Sequence, residues 1–152
     1  MKLNIIKLKP TDYEDILCQW WKDWRWDPPS RDFLPENGTG GYIVYDNDRP
    51  ICAGFMYLTN SKAAWCDWII SDLRYKDRQK RAEALELLIE TITNEAKKLE
   101  YKFVYALIKN RPLVNIYKRN GYKEGTTYTH EMIKIFFSAF LRASSVSLCI
   151  SA

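Results

Sequence analysis

Apolar and polar positions along this chain alternate between a strand-like period and a helical one. Leu3 to Leu8 is a short apolar stretch ended by Pro10, and suits an opening strand. Thr11-Asp12-Tyr13-Glu14 then reads as a capping box, with Thr11 capping the first amides and Glu14 reaching back. Ile16, Leu17, Trp20, Trp21 and Trp24 follow at helical spacing, and Pro28-Pro29 stops that helix. Arg31 to Gly40 is a polar loop. Tyr42 to Tyr45, Ile51 to Leu58 and Ala64 to Ser71 are strands, joined by turns at Asp46-Asn47-Asp48-Arg49 and Thr59-Asn60-Ser61-Lys62.

From Arg78 to Leu99 the helical period returns, carried by Ala84, Leu85, Leu88, Ile89, Ile92, Ala96 and Leu99, with Glu and Lys opposite. Lys102 to Ile108 is a strand. Arg111 to Arg119 is a second helix that tolerates Pro112 in its first turn, and Gly121 ends it in a left-handed conformation. Tyr122-Lys123 begins a further strand and Thr129 to Phe137 is another. Antiparallel hairpins thus come first, and Ala64 to Ile108 forms a parallel β-α-β unit with a right-handed crossover. The expected class is α/β (α+β): a mixed, mostly antiparallel sheet with that central unit and helices on both faces. One domain spans residues 1–137. Residues 138–152 form a small, hydroxylated and apolar extension, compatible with an added helix, a homodimer contact or a tail.

Composition narrows the classes. With 47% hydrophobic and 14% aromatic residues, 152 residues can bury a real core. A net charge of +4 suits an anionic ligand. The basic residues are interleaved with acidic ones and no nucleic-acid motif appears, which argues against nucleic acid as a partner. The cysteines Cys18, Cys52, Cys66 and Cys149 make no CxxC pair and no metal spacing, and each lies in an apolar stretch. Without a signal-peptide core or a run long enough to span a bilayer, the expected setting is cytoplasmic and reduced. Four of six tryptophans crowd Trp20 to Trp26, so the first helix is expected to pack an aromatic face on the sheet; lining an acceptor pocket is the alternative.

Chemistry gathers at two places. The free amides and dipole of a helix N-terminus attract phosphate, and Lys76, Arg78, Lys80 and Arg81 surround the mouth of the long helix. Asp67 is a lone carboxylate between two tryptophans in an apolar strand, where strict alternation puts it on one face with Trp65 and Ile69. Asp72 and Glu36 are weaker candidates for a base. His130, the single histidine, has no partner spacing and reads as structural.

Gln79-x-x-Ala82-x-Ala84, followed by Leu87-Leu88, resembles the acetyl-CoA loop of the GNAT superfamily of N-acetyltransferases, written Gln/Arg-x-x-Gly-x-Gly/Ala. Asn110-x-x-Leu113-x-x-x-Tyr117-x-Arg119-x-Gly121-Tyr122 resembles that superfamily's second signature. The element order agrees from Met1 to about Phe137. The resemblance implies an acetyl-CoA-dependent transfer of an acetyl group directly to an amine of a small molecule or peptide, with no metal. It implies cofactor contacts from Arg78, Gln79, Lys80, Arg81, Ala82, Glu83 and Ala84 at the loop, from backbone groups of Ile69, Ile70 and Ser71 along the pantetheine arm, and from Asn110. It makes Tyr117 the group that protonates the departing thiolate and Asp67, beside the pantetheine arm, the best base. Ala82 stands where glycine is usual, and the run from Ser71 to Gln79 is longer than the common loop. Those departures favour the alternative: a GNAT-fold CoA-binding or interaction module with little or no activity.

Overall fold

The computed structural model describes residues 2–127 and 130–136. Five strands, β1 (Leu3–Lys7), β2 (Gly41–Asp46), β3 (Arg49–Tyr57), β4 (Ala63–Ser71) and β5 (Phe103–Tyr105), form one sheet in that spatial order. The first four pair antiparallel and β4–β5 is parallel. The crossover between β4 and β5 is the long helix α2 (Arg78–Lys98). A short helix α1 (Cys18–Asp23) precedes β2 and α3 (Arg111–Arg119) follows β5.

Each face of the sheet has its own core. On one side Leu17, Trp20, Trp21 and Leu34 pack on Ile43, Ala53, Phe55, Trp68 and Ile70. On the other, Leu88, Ile89 and Ile92 of α2 and Ile116 and Tyr117 of α3 cover Val44, Ile51, Cys52 and Cys66. The expected class, with helices on both faces, is the one observed. Trp20 and Trp21 are core residues, while Trp24 and Trp26 stack on each other at 5.6 Å, half-buried.

Several local expectations give way. The capping box does not form. Asp12 turns back to accept from the Lys9 amide (2.8 Å), Glu14 pairs with Arg31, and the chain enters α1 through a π-helical turn, Tyr13–Leu17. α1 ends at left-handed Arg25 (φ 63), before the prolines are reached. The polar loop contains a 3₁₀ turn, Arg31–Phe33, and a tight turn over Pro35–Gly38 in which Glu36 (φ 49) and Asn37 (φ 55) are left-handed. β5 stops at Tyr105 rather than Ile108. No strand occurs at Tyr122-Lys123 or over 130–136; Thr129 and Phe137 lie outside the described residues. The extension 138–152, with the homodimer expectation attached to it, also lies outside them. No described helix is long and apolar enough to cross a membrane.

Candidate active site

The site begins with a mismatch of lengths between β3 and β4. Phe55 pairs with Asp67 and Ala53 with Ile70, so Trp68 and Ile69 together oppose Gly54. This is a β-bulge, and Trp68 sits in it at φ 57. Gly54 leaves room for it: a Cβ there would lie 2.4 Å from Ile69 Cδ1. The bulge rotates the strand. Trp68 and Ile70 enter the core under α1, whereas Ile69 packs under α2. Asp67, registered against Phe55, therefore shares its face with Trp65 and Trp68 and not with Ile69, which corrects the alternation expected for this strand.

The same bulge opens the sheet. The β4–β5 ladder pairs Ala63 with Phe103, Ala64 with Val104 and Trp65 with Tyr105, and then ends. Asp67 bridges the gap that follows. Its Oδ1 accepts from the Trp68 amide (2.9 Å) and its Oδ2 from the Leu107 amide (3.2 Å). Leu107 is thereby removed from any longer β5. Burial pushes the Asp67 carboxyl up to about 6, although both amide hydrogen bonds pull it down.

Tyr117 reaches the gap from the other face. Its hydroxyl donates to the Cys66 carbonyl (2.7 Å), one residue beyond the last β4–β5 pair, and lies 3.6 Å from Cys66 Sγ. Burial lifts the phenol well above its ordinary value. Its position follows from the second motif. Asn110 caps α3 by accepting from the Leu113 amide (3.1 Å). At the other end Gly121 (φ 88) donates to the Lys118 carbonyl and Tyr122 to the Tyr117 carbonyl, a Schellman ending. That ending lays the Tyr122 ring edge-on against Tyr117 at 4.9 Å and sends its hydroxyl to Thr93 (2.6 Å).

The mouth of α2 differs from a simple cluster of positive charge. The helix already begins at Arg78, so Gln79, Ala82 and Ala84 lie within it and Ala82 has helical dihedrals that suit alanine. Asp77 caps the helix, accepting from the Lys80 amide (3.0 Å). Lys80 turns inward to both oxygens of Asp46 (3.0 Å each), which also accepts from the Tyr75 hydroxyl. Arg81 donates to the Tyr75 and Asp72 carbonyls, and its Nε is buried without a partner among the described residues. Lys76, Arg78, Gln79 and Glu83 remain exposed, with Gln79 donating to Glu83. Asp72 is built into this loop by Arg49 (3.0 Å) and the Arg74 amide, and Glu36 is exposed and paired with Lys7.

A carboxylate held by one bulge amide and by one amide from the segment after β5, and a phenol on the opposite face, thus flank the place where two parallel strands part, with a helix N-terminus at the far end of the open strand. Solved structures share this fold. Glucosamine-6-phosphate N-acetyltransferase from Arabidopsis thaliana aligns over 88% of this chain and 100% of its own, at 11% identity and a TM-score of 0.62. This is the GNAT fold.

The ribosomal-protein-S18-alanine N-acetyltransferase of Escherichia coli aligns over 82% of this chain and 80% of its own, with 19% identity and a TM-score of 0.57. AAC(6')-Iy, solved with the bisubstrate analogue CoA-S-monomethyl-acetylneamine, covers 89% and 100%, with 10% identity and a TM-score of 0.62. No protein-family description and no curated protein matches the sequence.

Within this GNAT fold the β4–β5 splay gathers Asp67, Tyr117 and the backbone near Ile69, while the α2 mouth stands apart at the C-terminal end of β4. Two participants had no sequence signal. The Leu107 amide is a backbone group, and the Trp24 indole, which donates to the Ser71 carbonyl (2.8 Å), looked like one more aromatic of the first helix. The bulge itself was hidden because burial alternates straight through it, first into one core and then into the other.

Proposed function

We propose that this chain is an N-acetyltransferase that moves an acetyl group from acetyl-CoA directly to an amine of a small molecule or peptide. The observation that carries the reading is the meeting of Asp67 and the Tyr117 hydroxyl at adjacent residues of β4, at the point where the β4–β5 ladder ends. The open edge of β4 from Ile69 to Ser71 suits the amides of a pantetheine arm, an extended mode of recognition. The amides at the N-terminus of α2, with Arg78 and Gln79, suit its phosphates. The residues present fit such a ligand: Ala82 lies in helical backbone, and the ladder leaves the edge beyond Trp65 without a strand partner among the described residues.

The thioester supplies an activated acyl carbon. Asp67, directly or through water, takes the proton that the acceptor's ammonium must lose before its nitrogen can attack. Backbone N–H groups beside it stabilise charge on the carbonyl oxygen. As the C–S bond breaks, Tyr117 donates to the departing sulfur. A reference thiol near 8.5 would hold that proton poorly against a phenol. Burial raises both partners, the Cys66 thiol at the same spot to about 12 and the Tyr117 phenol well above its ordinary value, so the phenol keeps its proton and donates a hydrogen bond as the sulfur gains charge.

Thermal shift with acetyl-CoA and CoA, followed by thiol release with a panel of amines, tests the reading. Tyr117→Phe should lower turnover by about a hundredfold or more with little change in acetyl-CoA affinity. Unchanged turnover would remove Tyr117 from the chemistry, and the absence of stabilisation by either cofactor would remove the transfer itself. The second reading, a CoA-binding module without turnover, is favoured by the capping Asp77 and by the inward commitment of Lys80 and Arg81. It predicts stabilisation by cofactor and no thiol release.

A further inference from the structure

We propose that the row Tyr57–Trp65–Tyr105 is the floor of the acceptor site, and that the acceptor it takes is a primary amine carried on an uncharged aromatic body. The inference rests on the acetyl-transfer reading above and names the class of acceptor.

The row is fixed by register. Trp65 is paired with Tyr57 on β3 and with Tyr105 on β5. Directly paired residues put their side chains on one face of the sheet, so aromatic side chains lie side by side across neighbouring strands. The Trp65 and Tyr105 rings touch, with centroids 4.6 Å apart and planes tilted by 52°. Tyr57 is oriented from its far end, where its hydroxyl donates to the Phe33 carbonyl (3.2 Å). The row is accessible: Tyr105 is 41% exposed and Trp65 is half-buried. Large aromatic faces at a surface gain most by covering a flat apolar body.

Asp67 decides what that body carries. It lies on the same face, two residues beyond Trp65, which along a strand is about 6.6 Å. Its Oδ1 accepts from the Trp68 amide and its Oδ2 from the Leu107 amide. A carboxylate oxygen has a second lone pair, so the group keeps capacity for an ammonium. A ligand that satisfies both features has a cation at one end and a ring at the other, joined by a short alkyl arm. The carboxylate that draws the ammonium in is then the one that takes its proton. A single carboxylate neutralises a single ammonium. Any further cation on the acceptor would lose its water against the rings, with only a weak attraction to their faces in return, and sugar hydroxyls would lose water for nothing. Polyamines and amino sugars are therefore poor occupants of this floor.

Phenethylamine, n-butylamine and spermidine are the probes. Titrated in the presence of CoA, the wild-type protein should bind phenethylamine about tenfold tighter than n-butylamine, the scale of one stacked ring. Spermidine should bind no tighter than n-butylamine. Trp65→Leu keeps an apolar side chain on the strand but removes the flat face, and should erase most of the preference. Tyr105→Ala, at an exposed position, should lower it by about threefold. The preference is a ratio within one protein, so general effects of a substitution on the fold cancel in it. Equal binding of the two monoamines by the wild type, a ratio that neither variant moves, or tighter binding of spermidine each overturns the inference and leaves the transfer reading standing. Selective binding of phenethylamine without thiol release from acetyl-CoA overturns the transfer reading, because the floor would then hold an amine that the protein does not acetylate.

Discussion

Asp67 and Trp68 share one local problem, and each is part of the other's answer. A tryptophan at φ 57 is in a region that costs an ordinary residue about 1–2 kcal/mol. Its ring repays this by packing edge-on to Phe33 at 5.1 Å in the core under α1. Its amide would be left without a ladder partner, and Asp67 accepts from it. Asp67 was legible in the sequence as a lone carboxylate between two tryptophans, but its partners were not, since both are backbone groups whose freedom depends on a bulge. The pH dependence of the reaction follows from its surroundings. A base must be ionised to accept a proton, and burial places this carboxyl at about 6. kcat/KM should therefore rise with pH through about 6 and level off above it. Asp67→Asn should erase that limb and lower the rate by about a hundredfold or more. A limb of unchanged midpoint in the variant would assign it to another group.

Among the elements, α3 was the most legible and the start of α2 the least. The spacing Asn110, Leu113, Tyr117, Gly121, Tyr122 is a physical unit in its own right: a cap, two turns, a left-handed glycine and a ring returned onto the tyrosine. A Cβ on Gly121 would meet nothing within 4 Å, so glycine is there for its backbone alone. The basic run before α2 read as a cluster of free cations because sequence does not reveal which side chains find partners across the sheet. Lys80 found Asp46, thirty-four residues earlier, and Arg81 found the loop carbonyls. Asp77 stands in the middle of this run and takes the helix amide of Lys80. Removing it should cut both ways. Asp77→Ala should cost about 1 kcal/mol of stability, as N-cap deletions do. It should also strengthen acetyl-CoA binding by about two- to fivefold, the scale of a charge in the first helical turn. Chemical denaturation and titration on the same variant measure the two effects. Weaker cofactor binding in the folded variant would mean that the phosphates lie elsewhere.

For the whole molecule, the order of strands and helices was readable because hairpin turns, a long amphipathic stretch and a capped short helix each carry their own local signal. The extent of β5 was not, since it is limited by a bulge on the neighbouring strand rather than by its own residues. Charge placement across the fold has a consequence of its own. Asp46 is held below the usual carboxylate range, first by Lys80 and then by Tyr75, and so ties β2 to α2 and its preceding loop. Asp23 is lowered by Gln19 and then Arg74, joining α1 to the loop after β4. Groups lowered in the folded state contribute stability that is present above the unfolded value of about 3.9 and is lost as pH falls through the folded one. Asp67 has the opposite sign. Its folded value is raised, so its contribution is complete below about 3.9 and is lost as pH rises to about 6. The two limbs oppose each other, and thermal stability should pass through a maximum between about pH 4 and 6 before settling to a plateau near neutrality. Asp67→Asn should flatten the descending limb, and Asp46→Asn should weaken the ascending one. Melting curves across this range check both. A wild-type profile that climbs steadily to neutral pH would mean that Asp67 ionises at its ordinary value, and with it would go the idea that its two amide bonds hold a charge in a place that resists it.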